Sequence, residues 1–344
     1  MPLPPPATIG LLELSLVVGM SPRQQREALE RFGSARAALD ALGRRPEVPL
    51  VDRALAWASR ASERHLIALG EDRYPPLLRE ISDPPLVLYA EGRIELLAST
   101  CFAIVGARNA SDQGRTDARA FARRLSDAGL CIASGLAHGV DAAAHEGGLE
   151  GASSSIAVTG TGIDLVYPKQ NDVLARRLVE SGCVVTEYAL GMPPIAGNFP
   201  RRNRLISGLA RGVLVVQAND RSGSLSTARF AAEQGRDVFA LPGSIHSSLA
   251  KGCHKLIKDG AKLVETAADI LVELGMQADA QVATPRRYHP LLAAMGHDPV
   301  SVDQIMRRTG LAAAAIGAQL SLLEIDGRVD ALPGGRFQRI DGVG

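Results

Sequence analysis

CFAIVGARNAS, residues 101–111, sets five apolar residues before a glycine, an arginine and a serine, and an amphipathic stretch follows. A continuous apolar run of this length reads as a strand buried on both faces, and a glycine-marked turn into a helix is the corner of a parallel βα unit. Five further runs repeat the pattern: LCIAS (130–134), SSIAVTG (154–160), CVVTEY (183–188), GVLVVQA (212–218) and DVFALPG (237–243). Helix-length segments separate them. The expected fold is α/β, a doubly wound, mostly parallel Rossmann-like sheet.

The flanks read differently. Leu11 to about Ala68 is expected to form short helices: Leu11, Leu12, Leu14, Leu16 and Val17 open it, and Ser21–Pro22 gives an N-cap followed by a first-turn proline. Phe32–Gly33–Ser34 leads into another Ala/Leu helix. On the other side, the polar, proline-marked stretch 276–290 reads as a linker. Beyond it come a helix near Val302–Arg308, a turn at Gly310 and a helix from Ala312 to Glu324. Two short β-runs around Pro333–Gly334–Gly335 complete a winged-helix pattern. The expected units are therefore 1–70 (helical), 71–275 (extended Rossmann-like), 276–290 (linker) and 291–344 (winged helix). The second helix of the wing (Ala312–Ala315, Ile316, Gln319) has almost no basic residues, which favours a protein-contacting or structural role.

Composition narrows the function. The chain has 344 residues, and its 38 Lys+Arg against 37 Asp+Glu leave a formal charge of +1. That excludes a uniformly basic polyelectrolyte binder and a highly charged disordered chain, but a clustered basic patch remains open. No apolar run reaches the roughly 18 residues of a membrane span, and MPLPPPATIG lacks the basic start of a signal peptide. Cys101, Cys131, Cys183 and Cys253 form no C-x-x-C pair, and small buried hydrophobes are the ordinary reading. A cytoplasmic protein is expected.

In a doubly wound sheet, ligands sit beyond the carboxyl ends of the strands. The first loop there, Gly106 to Ser111, joins a close-approach glycine, Arg108 and a helix start, all suited to an anion. It is not G-x-G-x-x-G, and the next strand ends in Ser134–Gly135 with no acidic residue for a ribose hydroxyl, so NAD binding is poorly supported. In the second loop, His138, Asp141 and His145 raise a metal site. The plainer reading has Asp141 capping a helix and the histidines bonded locally; no fourth ligand is evident, and no metal or other cofactor is expected. The third loop ends in Tyr167–Pro168–Lys169–Gln170–Asn171. The fourth, Asn198 to Ser207, holds Arg201, Arg202, Asn203 and Arg204, the densest positive cluster, with no acidic partner evident nearby. The fifth, Asp220 to Thr227, is a Gly/Ser helix start that includes Ser222, Gly223 and Ser224. Several anion sites along one sheet edge suit a run of phosphates better than one nucleotide, and arginine forks also stack on bases. No nucleophile–base pair stands out.

Taken in order, AIVGARNAS, ASGLAHGVDAAAHEGGL, YPKQN, FPRRNRLISGL, SGSLSTARFAAEQGRDVFALPG and GCHKLIKDGAKL resemble the DNA-processing protein A family (DprA, also called Smf). The upstream EDRYPPLLREISDPPLVLYAEG resembles it too, so the likeness runs from about Glu71 to Val264. It implies a sterile-alpha-motif-like helical domain in front and a winged helix behind. The implied activity is non-enzymatic: binding single-stranded DNA and loading RecA onto it during natural transformation. By likeness, Arg108, Ser111 and Lys169 grip phosphate, and Arg201, Arg202, Asn203 and Arg204 line the pocket. The Gly-Cys-His segment implies a homodimer surface at His254, Ile257 and Leu263 that overlaps RecA contact. Single-strand-binding protein is a further candidate partner, and a membrane is not.

Two other readings compete. A nucleotide phosphoribohydrolase-type enzyme on the same fold needs an acid or base aimed at the glycosidic bond, and Asp141, Asp164 and Glu187 form no obvious catalytic pair. A winged-helix transcription factor needs base-reading Arg, Asn or Gln residues on its helix, and the wing lacks that set.

Overall fold

The computed structural model describes residues 4–277, 289–296 and 298–340. Four helices come first: α1 (Pro6–Ser15), α2 (Pro22–Phe32), α3 (Ala35–Leu42) and α4 (Val48–Ser59). There follow β1 (Arg64–Ala68), α5 (Pro76–Arg79), β2 (Val87–Gly92), β3 (Cys101–Val105), α6 (Asp112–Asp127), β4 (Cys131–Ser134), α7 (Val140–Glu150) and β5 (Ser155–Val158). The chain continues through α8 (Asp172–Ser181), β6 (Cys183–Thr186), α9 (Asn198–Leu209), β7 (Ala210–Val215), α10 (Ser224–Glu233) and β8 (Asp237–Ala240). Helix α11 (Lys251–Lys258), β9 (Lys262–Leu263) and α12 (Ala267–Glu273) close this part.

The six apolar runs are β3 to β8. All nine strands join one sheet in the order β1-β2-β6-β5-β4-β3-β7-β8-β9, parallel from β6 to β9. Strand β2 runs antiparallel to both β1 and β6. The sheet is thus mostly parallel, with an antiparallel pair at one edge. Strand β1 lies inside the stretch expected to be helical: its first two residues are half-exposed, and as an edge strand it lacks the fully apolar run of an inner one.

Alternation along β3 divides the core. Phe102 and Ile104 face Phe121 and Leu125 of α6 and Ile270 of α12. Cys101, Ala103 and Val105 face the side covered by Leu205 and Ile206 of α9 and Ala228 of α10. All four cysteines are buried, and none is in a disulfide. The N-terminal helices start as read: Ser21 and Gln24 form a reciprocal capping box, and Ser34 caps α3. They have no core of their own. Leu12, Leu14, Leu39 and Trp57 pack in one cluster with Leu66 and Tyr89 of the sheet edge.

Elements α13 (Pro290–Met295), β10 (Val300–Ser301), α14 (Val302–Thr309), α15 (Ala313–Ile325), β11 (Val329–Leu332) and β12 (Arg336–Arg339) form the winged helix. Its strands are ordered β10-β12-β11 around Leu291, Ile305, Ile316, Leu320 and Val329. Most of the expected linker, 278–288, and residues 341–344 of the expected wing lie outside the described residues. Among the described residues no helix is long and apolar enough to cross a membrane.

Strand order reverses at β3, with β4 to β6 on one side and β7 to β9 on the other. A crevice therefore opens beyond the carboxyl ends of β3 and β7.

Candidate nucleic-acid interface

The loop leaving β3 is held by close backbone packing. A Cβ on Gly106 would lie 2.7 Å from Val140 Cγ2, and one on Gly139, whose φ is +75°, would lie 2.4 Å from the carbonyl oxygens of Ala107 and Arg108. Only glycine permits this approach. It leaves the Arg108 side chain exposed, its guanidinium carbon 5.7 Å from the centroid of the Phe199 ring.

A cavity of about 420 Å³ fills the switch point, between Gly106–Arg108 on one wall and Phe199, Arg202, Asn203 and Arg221–Ser224 on the other. A second, of about 590 Å³, adjoins it and shares Arg108, Ala137, Phe199 and Arg202; its lining, which has no carboxylate among the described residues, also includes His138, Tyr167, Lys169 and Gln170. Together they form one trough across the sheet edge. The Tyr167 and Phe199 rings lie 5.3 Å apart and tilted by 36° within it. Helices α9 and α10 both start beside the trough without a side-chain cap from their N-cap residues, so the partial positive charge of each helix start lies there.

Of the residues read from sequence, Gly106, Arg108, Lys169, Arg202, Asn203, Ser222, Gly223 and Ser224 line the trough. The others are engaged elsewhere. The Ser111 hydroxyl caps α6, accepting from Gly114 N at 3.1 Å and from Gln217 Nε2 at 2.8 Å. The Asn171 amide donates to the carbonyls of Leu136 (2.9 Å) and Ala137 (3.2 Å), tying two loops together.

The arginine cluster departs most from expectation. It does have acidic partners, brought in by the fold. Arg204, 6% exposed, donates to both Glu187 oxygens at 2.7 and 2.8 Å and to Asp83 at 3.2 Å. Burial works against its charge, but Glu187 and Asp83 more than offset this and hold its pKa above the ordinary value. Arg201 lies 3.5 Å from Glu187. Arg202, 4% exposed, donates to the Gly135 (2.8 Å) and Val158 carbonyls and to Asn203 Oδ1 at 3.3 Å. Burial brings its pKa down to about 10, with Asp141 opposing, so it stays cationic at neutral pH. Asn203 donates to Gly223 O (3.2 Å) and Ser226 Oγ (2.8 Å), docking the start of α10 against α9. Arg202 and Asn203 shape the floor, and Arg204 anchors it from behind.

His138, Asp141 and His145 do not converge. Asp141 accepts from Gly135 N at 3.2 Å and Ala137 N at 3.4 Å, and burial raises its pKa against the pull of Arg202. His145 is fully buried; its Nε2 accepts from Leu136 N at 3.2 Å, so the neutral ring's Nδ1 donates to Ser155 Oγ at 2.7 Å. Burial, helped by Arg202, lowers its pKa to about 3. Among the described residues no group of three or more His, Cys, Asp or Glu side chains is placed to hold a metal. Sequence reasoning quoted Tyr167, Phe199, Arg221 and His138 without selecting them. Aromatics interleaved with cationic loops were the available signal.

At the far edge, His254 Nε2 lies 3.0 Å from the Gly243 carbonyl and Ile257 is half-buried against the core. Leu263 on edge strand β9 is 51% exposed.

Fold and site together define a class: a doubly wound α/β protein with a winged helix and a cationic, aromatic-bearing trough at the switch point of its sheet. The chain belongs to the DNA recombination-mediator protein A family, whose model matches residues 65–275, while the DprA winged helix domain matches residues 276–335. It is 41% identical over 299 residues to the protein Smf of Escherichia coli K12, covering 83% of this chain and 80% of that one. The X-ray structure of DNA processing protein A from Streptococcus pneumoniae is similar with a TM-score of 0.67 at 37% identity, covering 78% of this chain and 96% of that one. A structure of DNA processing protein A from Helicobacter pylori, described for its single-stranded DNA binding mode, gives a TM-score of 0.56 at 30% identity, covering 62% and 97%.

Proposed function

We propose that the protein binds single-stranded DNA in the trough and mediates recombination, loading RecA onto incoming strands during natural transformation, without catalysing a reaction. The observation that carries this reading is the pairing of two exposed cations, Arg108 and Lys169, with the Tyr167–Phe199 rings. Among the described residues neither cation has an ion-pair or hydrogen-bond partner for its side chain. Phosphates satisfy such cations, while unpaired bases satisfy exposed rings; a duplex keeps its bases stacked inside. The binding mode described for the Helicobacter pylori relative supports the same ligand.

The enzyme reading has less support. Asp141 is tied to backbone amides, Glu187 to Arg204, and Asp164 to Gly191 N at 2.8 Å. Each of these carboxylates is engaged by a neighbour, and no two of them are paired. Leu263 on its exposed edge strand supports a homodimer whose surface, with His254 and Ile257, also meets RecA in a cytoplasmic setting. Single-strand-binding protein is proposed as a further partner. The test is a gel-shift comparison of single- and double-stranded DNA with free mononucleotide as competitor. Preference for the long single strand, undisturbed by mononucleotide, fits this reading; displacement by mononucleotide favours the enzyme.

A further inference from the structure

Asp141, at the start of α7, is 7% exposed and lines the first cavity of the trough. Its Oδ2 accepts from Gly135 N at 3.2 Å and from Ala137 N at 3.4 Å. Its Oδ1 has no hydrogen-bond or ion-pair partner among the described residues, yet it is not sealed off from the cavity. The neighbouring Arg202 does not fill that gap, because its guanidinium is committed to the Gly135 and Val158 carbonyls and to Asn203. Gly135 brings both groups to this floor: a Cβ there would lie 2.7 Å from Arg202 Nη2 and 2.7 Å from Asp141 Oδ2. Burial works against the charge of Asp141, and Arg202, the two amides and Arg108 support it. A carboxylate oxygen can only accept a hydrogen bond, and leaving a buried one unmet is costly. Its sign is also wrong for the phosphates that suit Arg108 and Lys169. The missing partner is therefore an N–H donor.

We infer that Asp141 determines the preference for unpaired bases: its Oδ1 accepts an N–H from the Watson–Crick edge of a base lodged in the first cavity. The inference rests on the single-strand reading of the trough. Thymine N3–H, cytosine N4–H, adenine N6–H and guanine N1–H all lie on that edge, so the contact is indifferent to sequence. In a duplex each of them is already used in pairing, whereas a base splayed out of a single strand presents them. The trough is divided accordingly. Arg108 and Phe199, shared by both cavities, stand between a side with Lys169 and no carboxylate among the described residues, which takes phosphate, and the Asp141 side, which takes a base.

Fluorescence anisotropy on the full chain tests this with a labelled oligothymidylate and the same oligomer methylated at N3 of every thymine, at one pH and salt concentration. Methylation removes the N–H but leaves the phosphates and the stacking faces in place. Wild type is expected to bind the methylated strand about ten-fold more weakly, the loss of one charged hydrogen bond. Asp141→Asn keeps one oxygen for the Gly135 and Ala137 amides, which turns its amino group towards the cavity. It is expected to bind both strands alike, close to the affinity of wild type for the methylated one. The wild-type comparison involves no substitution, so it decides the matter even where the variant is unstable. Equal binding of both strands by wild type, or an Asp141→Asn variant that keeps the ten-fold difference, overturns the inference while leaving single-strand binding in place. Failure of wild type to bind the unmodified strand overturns the underlying reading instead.

Discussion

Arg204 is the residue whose assignment changed most, and replacing it separates support from contact. Arg204→Met keeps the aliphatic stem and removes the guanidinium that holds Glu187 at 2.7 and 2.8 Å and Asp83 at 3.2 Å. Glu187 has only 6% of its side chain exposed, so its carboxylate is left buried with Arg201, 3.5 Å away, as its only remaining ion-pair partner among the described residues. Breaking one side of a buried pair costs about 3–5 kcal/mol, because the surviving charge is uncompensated. At about 2–4 °C per kcal/mol for a unit of this size, Tm should fall by roughly 6–20 °C. Thermal unfolding followed by circular dichroism reads the loss, and single-strand affinity measured well below the new Tm should stay within about two-fold of wild type. Glu187→Gln should recover part of the loss in the double variant, since it removes the stranded charge. Unchanged Tm with a ten-fold loss of affinity would show that Arg204 contacts DNA directly and refute this reasoning.

Three further outcomes are expected. Arg108→Ala and Lys169→Ala should each weaken single-strand binding by about ten-fold, the loss of one charged hydrogen bond, without changing Tm. Four to six gripped phosphates give a salt slope near −3 to −4 for wild type, and each variant should lower its magnitude by about 0.7. His145 has a folded pKa near 3, below the ordinary value of about 6.5. The unfolded chain therefore takes up the proton first, and the stability this residue confers is complete above about pH 6.5 and declines towards pH 3 by at most about 1.4 kcal/mol per pH unit. In urea unfolding at pH 7 and pH 5, His145→Gln should show a smaller drop than wild type; an equal drop would contradict the assignment. Leu263→Glu, at an exposed edge position, should shift a dimer to monomer by sedimentation without unfolding the chain, and an intact dimer would remove that surface from the proposal.

What could be read directly was the part governed by local pattern. Strands β3 to β8 are buried on both faces, so each appears as an unbroken apolar run, and their spacing alone gives the doubly wound sheet. Strands β1 and β9 escaped because edge strands need fewer apolar residues, and β9 has only two residues; β2 lies inside the sheet and was quoted only as part of the family likeness. Arg108 and Lys169 were recognisable because each follows a strand end at a glycine- or proline-marked turn. Arg201 and Arg204 were read as lacking acidic partners for a physical reason: Glu187 and Asp83 stand 14 and 121 residues away, and only the fold brings the loop after β6 and the Asp-Pro-Pro loop to α9. Ser111 illustrates a second ambiguity. A serine before a helix serves equally as a phosphate ligand or an N-cap, and its partner Gln217 lies 106 residues on. The Tyr167–Phe199 pair was hidden because one ring comes from the loop before α8 and the other from the first turn of α9.

The central claim is that Arg108 and Lys169, beside the paired rings, hold a single strand by several phosphates. Fluorescence anisotropy of a labelled single-stranded oligonucleotide tests it most directly, with wild type and the Arg108→Ala/Lys169→Ala double variant compared at equal salt and matched Tm. A loss of about 100-fold in the double variant, with unlabelled single strand but neither duplex nor mononucleotide displacing the probe from wild type, is the predicted result. Undiminished affinity in the double variant, or ready displacement by mononucleotide, would contradict it.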